Sequence, residues 1–280
     1  MNTPIRLSRA RSVSGLFTVA VAVVLATVSL QAQSTRKSPA SRLYVASLDG
    51  ESQINKGDKV EDMTNKSAYN AQGSIIETKP KATNALVYSN GTGIFFDPDT
   101  RIEVAKFVQE PFTPNRNDLE VEPSISQTDV LLARGTVGLC TSKLVAGSTM
   151  KYRTALGSVS IQGGKMVMEA DADTTKVSML EGEGLVRGGN LDLGGHVLHP
   201  GEQAIIKRSP GREANVVTIQ PIPKNERSTL DDKVFMACAA RKTVYFDTKG
   251  NEPNTEIAAV PVVPPTLPPP ITVSPSQLPQ

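Results

Sequence analysis

Two histidines, two cysteines, the S-x-x-K string STMK and the aspartates of DPD and DAD hold most of the chemistry open to this 280-residue chain. His196 and His199, in GGHVLHPGEQ, are near enough in sequence to suggest a metal pair. On an extended strand, residues three apart point to opposite faces, and the chain lacks the further nitrogen or sulfur ligands that zinc requires. No metal is expected there. STMK, residues 148–151, matches an element of penicillin-binding serine enzymes. That chemistry needs the serine at a helix start, its lysine one turn on, and two partner motifs. Here the string lies among strand-like runs without those partners. Asp97 with Asp99, and Asp171 with Asp173, lack the central glycine and terminal glutamate of a calcium loop, so turn capping is their expected role. The sequence holds no G-x-S-x-G, phosphate-cradling glycine loop, dinucleotide fingerprint or H-E-x-x-H. No catalytic residue and no cofactor is assigned, and a non-enzymatic role is expected.

What remains is the cysteine pair and the compartment it occupies. Residues 1–32 carry Arg6, Arg9 and Arg11, then an uncharged apolar run, then the exit LQAQ. This is the three-part pattern of a secretory signal peptide, with cleavage expected between Ala32 and Gln33. A retained membrane anchor is the alternative, because the run approaches spanning length. Cleavage would leave a chain without a membrane span, periplasmic or secreted. Cys140 and Cys238 would then sit in an oxidising compartment, where they either close a loop of about 100 residues or pack as two buried thiols. Charge narrows the partners. Thirty basic residues, less the three in the leader, stand against 28 acidic ones, and tryptophan is absent. The electrostatic footprint of a nucleic-acid binder is missing, and an envelope protein or glycan is the expected partner.

The elements that would position these residues are short. Alternating apolar runs bounded by Gly, Asn, Asp or Pro predict strands near 42–46, 74–78, 85–88, 93–96 and 102–107. SNGT places Asn90 and Gly91 where a tight turn needs positive φ, and Pro98 in DPDT suits a second turn. Residues 108–128, with three prolines and scattered charge, predict a long connection, after which strand-like runs resume. One segment departs from this pattern. Within residues 221–250, Leu230, Val234, Ala237 and Cys238 share a helical face behind a capping-box-like Ser228 and Asp231, and TVYFD predicts a final strand. Residues 251–280, rich in proline, predict a disordered or extended tail.

The glycine and strand pattern resembles the FecR domain. Gly73, Thr78, Asn90 and Gly91 fit its first half, in GSIIETKPKATNALVYSNGTGIFFDPDTRIEV. Gly135, Gly163, Glu181, Gly182, Pro200 and Gly201 fit its second half, down to the closing Pro-Gly-Glu-Gln. The similarity covers about residues 42–207, carried by scaffold positions rather than reactive ones. It implies an all-β extracytoplasmic domain over 33–220, β-solenoid-like or β-sandwich-like, with one short helix near the C-terminus, used for contact with other macromolecules. The regulators that name the family also carry a cytoplasmic portion holding a sigma factor, which this sequence does not match. The alternative role that the resemblance implies is therefore an extracytoplasmic sensor in a sigma-factor or outer-membrane receptor system.

Overall fold

The computed structural model describes residues 41–57, 59–112, 120–189, 191–209, 215–248 and 257–262. The predicted leader with its Ala32–Gln33 junction, and residues 263–280 of the predicted tail, lie outside them.

Among the described residues the fold is all-β with one helix. In chain order the strands are β1 (Arg42–Asp49), β2 (Ser52–Asn55), β3 (Val60–Asp62), β4 (Ala68–Asn70), β5 (Ile75–Thr78), β6 (Thr83–Tyr88), β7 (Gly93–Phe96), β8 (Arg101–Gln109) and β9 (Ser126–Thr141). They continue as β10 (Thr149–Arg153), β11 (Ser158–Ile161), β12 (Gly164–Ala170), β13 (Thr174–Glu181), β14 (Gly184–Arg187), β15 (His196–Leu198), β16 (Glu202–Lys207) and β17 (Val216–Pro221). Helix α1 (Lys224–Arg241) follows, then the hairpin of β18 (Val244–Thr248) and β19 (Ile257–Pro261).

Two sheets pack face to face. The first runs β3-β2-β5-β8-β9-β10-β11-β14-β15. The second runs β4-β1-β6-β7-β9-β12-β13-β16-β17. Every pairing is antiparallel except that of β9 with β10. The chain visits the sheets in alternation: hairpin β10–β11 lies in the first, β12–β13 in the second, β14–β15 in the first and β16–β17 in the second. It therefore combines the stacking of a coil with the two faces of a sandwich, and neither sheet closes on itself. Inward residues of both sheets form one core, with Ile76, Ile102, Leu132 and Ile161 from the first against Leu86, Phe96, Leu139, Met166 and Met179 from the second.

Only β9 belongs to both sheets, passing from one to the other at Gly135. There φ is +92°, and a Cβ would fall 2.5 Å from Thr100 Cα. A side chain is excluded twice, by dihedral and by space. Thr100 fixes the corner by accepting the Thr136 N–H at 3.0 Å and donating to the Thr136 carbonyl at 3.1 Å.

Helix α1 lies on the outer face of the second sheet. Leu230 and Val234 pack on Val167, and Ala240 joins Tyr44, Ala85 and Val87. The helix begins four residues before the expected Ser228, directly after Pro223. No side chain caps it. Pro223 supplies a fixed φ of −59°, its carbonyl accepts the Glu226 N–H at 3.0 Å, and Asp231 pairs with Arg227 instead of forming a capping box. Close approach to the sheet depends on Gly93 and Gly138. A Cβ on Gly93 would fall on the Ala237 carbonyl oxygen, and one on Gly138 would sit 2.8 Å from that of Lys233. Gly93→Ala is expected to lower stability by about 1–3 kcal/mol through overpacking, read from the urea midpoint.

Three further boundaries differ from the sequence reading. The 108–128 connection narrows to 110–125, because β8 and β9 extend into it from both sides. Residues 257–261, placed in the tail, form β19, whose IAAV keeps its backbone donors and pairs with β18 before the prolines begin. In the β6–β7 turn only Gly91 has positive φ (+85°), while in the next turn it is Asp99 that adopts +56°. Among the described residues, no helix is long and apolar enough to cross a membrane.

Candidate binding groove and sheet edge

Cys140 is the penultimate residue of β9 on the second sheet, Cys238 lies on α1, and the structure joins them in a disulfide. Beside this bond opens a groove of about 730 Å³. Cys140, Cys238, Gly163, Glu181 and Gly182 all line it, bringing together five of the positions singled out in the sequence. Lys143, Lys165, Arg241 and Lys242 line it together with the carboxylates of Glu120, Glu181 and Glu183. Lys165 and Glu181 form an ion pair. A smaller cavity of about 290 Å³ continues along α1 past Leu180, Val234 and the exposed Phe235, sharing Lys165, Glu181 and Cys238 with the first.

Arg241 organises one wall. Its Nη1 lies 3.5 Å from Cys140 Sγ and its Nη2 donates to Ser142 Oγ at 2.5 Å. Burial pulls the guanidinium below its ordinary pKa, with the charge of Glu120 opposing that shift. Further along the helix, Lys233 pairs with Asp97, and Glu226 accepts from Gln203 at 3.1 Å and Lys176 at 3.3 Å. The helix is thus held at both ends and the middle.

The remaining scaffold positions lie elsewhere. Gly73 donates its N–H to the Val104 carbonyl at 2.8 Å, and Gly201 donates to that of Met179 at 2.8 Å beside Pro200 in the β15–β16 turn. Thr78 is buried, donating to the Asp97 carbonyl at 2.7 Å and accepting the Thr100 N–H at 2.9 Å. Asn90 and Gly91 form the β6–β7 turn, where Gly91 donates to the Tyr88 carbonyl at 2.8 Å.

Asn90 also reaches a cluster that sequence reasoning missed. Glu122, only 3% exposed, accepts from Ser148 Oγ at 2.6 Å, Val145 N at 3.3 Å, Asn90 Nδ2 at 3.4 Å and Ser126 Oγ. This saturated carboxylate pins the connection before β9 to two turns. Its only sequence signal was an acidic residue between Val121 and Pro123. Ser148 of STMK is thereby a structural donor. His196 and His199 do not converge, the first lying 3.6 Å from Asp192 and the second 3.2 Å from Glu183. Asp171 caps the β12–β13 turn by accepting the N–H groups of Asp173 at 2.8 Å and Thr174 at 2.7 Å. Asp192 does the same for Gly188 and Gly195, both at 2.9 Å, and these bonds hold its carboxyl below the usual range.

The far end of the sandwich presents a different surface. There, among the described residues, β15 and β17 are edge strands. Leu193 is 82% exposed, Val197 51%, Val216 44% and Ile219 36%. An edge carries a row of backbone donors and acceptors without a neighbour, and natural sheets usually guard such rows with charge. Within β17 there is none.

No family model and no curated protein matches the chain. Two crystal structures of a "putative anti-sigma factor" from Parabacteroides distasonis align with it at a TM-score of 0.40 and 13% identity, over 55% of this chain. The chain spans 62% of the length of that protein.

Proposed function

We propose that this chain is an exported, non-enzymatic FecR-like binding module of the cell envelope, which holds a partner protein by strand addition at its open sheet edge. The observation that carries the proposal is β17, an uncharged edge strand with Val216 and Ile219 exposed. An extended partner segment would gain main-chain hydrogen bonds along β17, meeting Val216 on one face of the strand and Ile219 on the other. Export is supported by the leader pattern, and the Cys140–Cys238 bond suits an oxidising compartment.

The test is affinity capture from envelope extracts with the parent and with a V216K/I219K variant. Both side chains are exposed, so the variant should keep its stability within about 0.5 kcal/mol. Captured partner should fall at least tenfold, because lysines guard an edge against pairing. Equal recovery by both forms, or retention of glycan alone, would exclude strand addition at β17.

A further inference from the structure

The disulfide beside the groove differs from a buried staple in how its two sulfurs are placed. Cys140 is 3% exposed at the end of β9, while Cys238 is partly exposed on α1 and lines both cavities. The guanidinium beside the bond contacts the buried sulfur, with Arg241 Nη1 at 3.5 Å from Cys140 Sγ. Thiol–disulfide exchange requires an accessible sulfur to be attacked in line and a leaving thiolate of low basicity, which a neighbouring cation provides. Here Cys238 is the more exposed half of the bond and Cys140 the half beside the cation. The groove gives an attacker room, and its lining carries Lys143, Lys165, Arg241 and Lys242 against Glu120, Glu181 and Glu183.

From this geometry we infer that Cys140–Cys238 is a thiol-exchange site, at which an external dithiol attacks Cys238 Sγ and Cys140 departs as a thiolate beside Arg241. In the first step one thiol of the reductant gives its proton to solvent. Its sulfur then bonds to Cys238 Sγ, and the electron pair of the Cys140–Cys238 bond passes to Cys140. In the second step the other thiol, also deprotonated, attacks the reductant's own sulfur in the mixed disulfide and releases Cys238. The reductant becomes a disulfide, the protein gains two electrons, and the two protons shed by the reductant are matched by those taken up at Cys140 and Cys238. Helix α1 keeps its packing through Leu230, Val234 and Ala237 and its ion pair from Lys233 to Asp97, so the exchange opens a clasp on a helix that stays in place.

The oxidised protein would be treated with reduced glutathione in native buffer, quenched with N-ethylmaleimide and mapped by peptide mass. Glutathione on Cys238 with maleimide on Cys140 is the expected pattern. The reverse pattern, or no reaction without denaturant, overturns the proposal. Stopped-flow reduction with dithiothreitol would then compare the parent with Arg241→Gln, for which a rate about tenfold lower is expected, and with Arg241→Lys, which should recover most of it. Ser142→Ala, which removes the hydrogen bond from Arg241 Nη2, separates the thiolate contact from loss of local packing: its rate should match the parent. An Arg241→Gln rate equal to the parent's, or an equal slowing in Ser142→Ala, would show that the guanidinium does not assist the leaving sulfur.

Discussion

A C140S/C238S double variant should unfold with about 3–5 kcal/mol less free energy than the oxidised parent. The two cysteines are 98 residues apart, so their bond closes a loop spanning four hairpins, from β10–β11 to β16–β17, and most of α1. Loop-closure entropy for about 100 residues amounts to about 4.7 kcal/mol, acting mainly on the unfolded chain. Native contacts change little when sulfur is replaced by a hydroxyl, because α1 retains Leu230 and Val234 on Val167, Lys233 on Asp97 and Arg241 on Ser142. The folded state should therefore survive, with the melting temperature lowered by about 10 °C for a domain of this size. Guanidinium titration of the parent, the parent with dithiothreitol and the double variant would check this. The reduced parent and the double variant should coincide, whereas a difference between oxidised parent and variant below about 1 kcal/mol would mean that the unfolded chain is already compact across this span.

The part of this architecture that was legible in the sequence is the part written in short-range signals. β5, β7 and β8 show themselves through alternation between turn residues, and α1 through the spacing of Leu230, Val234 and Ala237. β2, β3 and β4 escaped notice because they are three or four residues long and their apolar positions are too few to set a period. The choice between coil and sandwich was also beyond reach, since it depends on which sheet each hairpin joins. That is decided at corners such as Gly135, where the conformation is local but the Thr100 it must fit against lies 35 positions earlier in sequence. The groove shows the same limit. Gly163, Glu181 and Gly182 were identified as scaffold positions, yet their meeting with the disulfide results from β12, β13 and α1 packing together. Glu122 was invisible for a related reason: a buried carboxylate is tolerable only with its donors assembled, and Asn90, Ser126 and Ser148 come from three separate segments. The sensor alternative turns on whether the leader is retained, which N-terminal sequencing of the exported chain answers directly, a start at Gln33 removing the route to the cytoplasm.

The protein should lose stability steeply above about pH 10, and Tyr88 and Tyr152 should be the main cause. Both lie between the sheets, Tyr88 on β6 stacked against Phe107 of β8 with ring centroids 4.9 Å apart, and Tyr152 on β10. They are 0% and 1% exposed, and among the described residues neither hydroxyl has a hydrogen-bond partner. Burial raises both phenol pKa values, with the nearby Tyr88 adding to the shift at Tyr152. In the unfolded chain each ionises near pH 10. Below that pH both states are neutral and nothing is lost. Above it the unfolded chain releases protons that the folded core retains, so stability falls as pH rises, by about 1.4 kcal/mol per pH unit for each tyrosine. Together the pair should remove about 5 kcal/mol between pH 10 and pH 12. Exposed lysines titrate in the same range, so the informative quantity is the difference between the parent and a Y88F/Y152F variant. Phenylalanine keeps the ring packing and removes two hydroxyls that are buried without partners, so the variant should lie within about 1 kcal/mol of the parent at pH 7. Its urea midpoint should then stay well above the parent's as pH rises from 10 to 12. Parallel decline of the two midpoints would show that these tyrosines reach solvent at high pH before the sandwich unfolds.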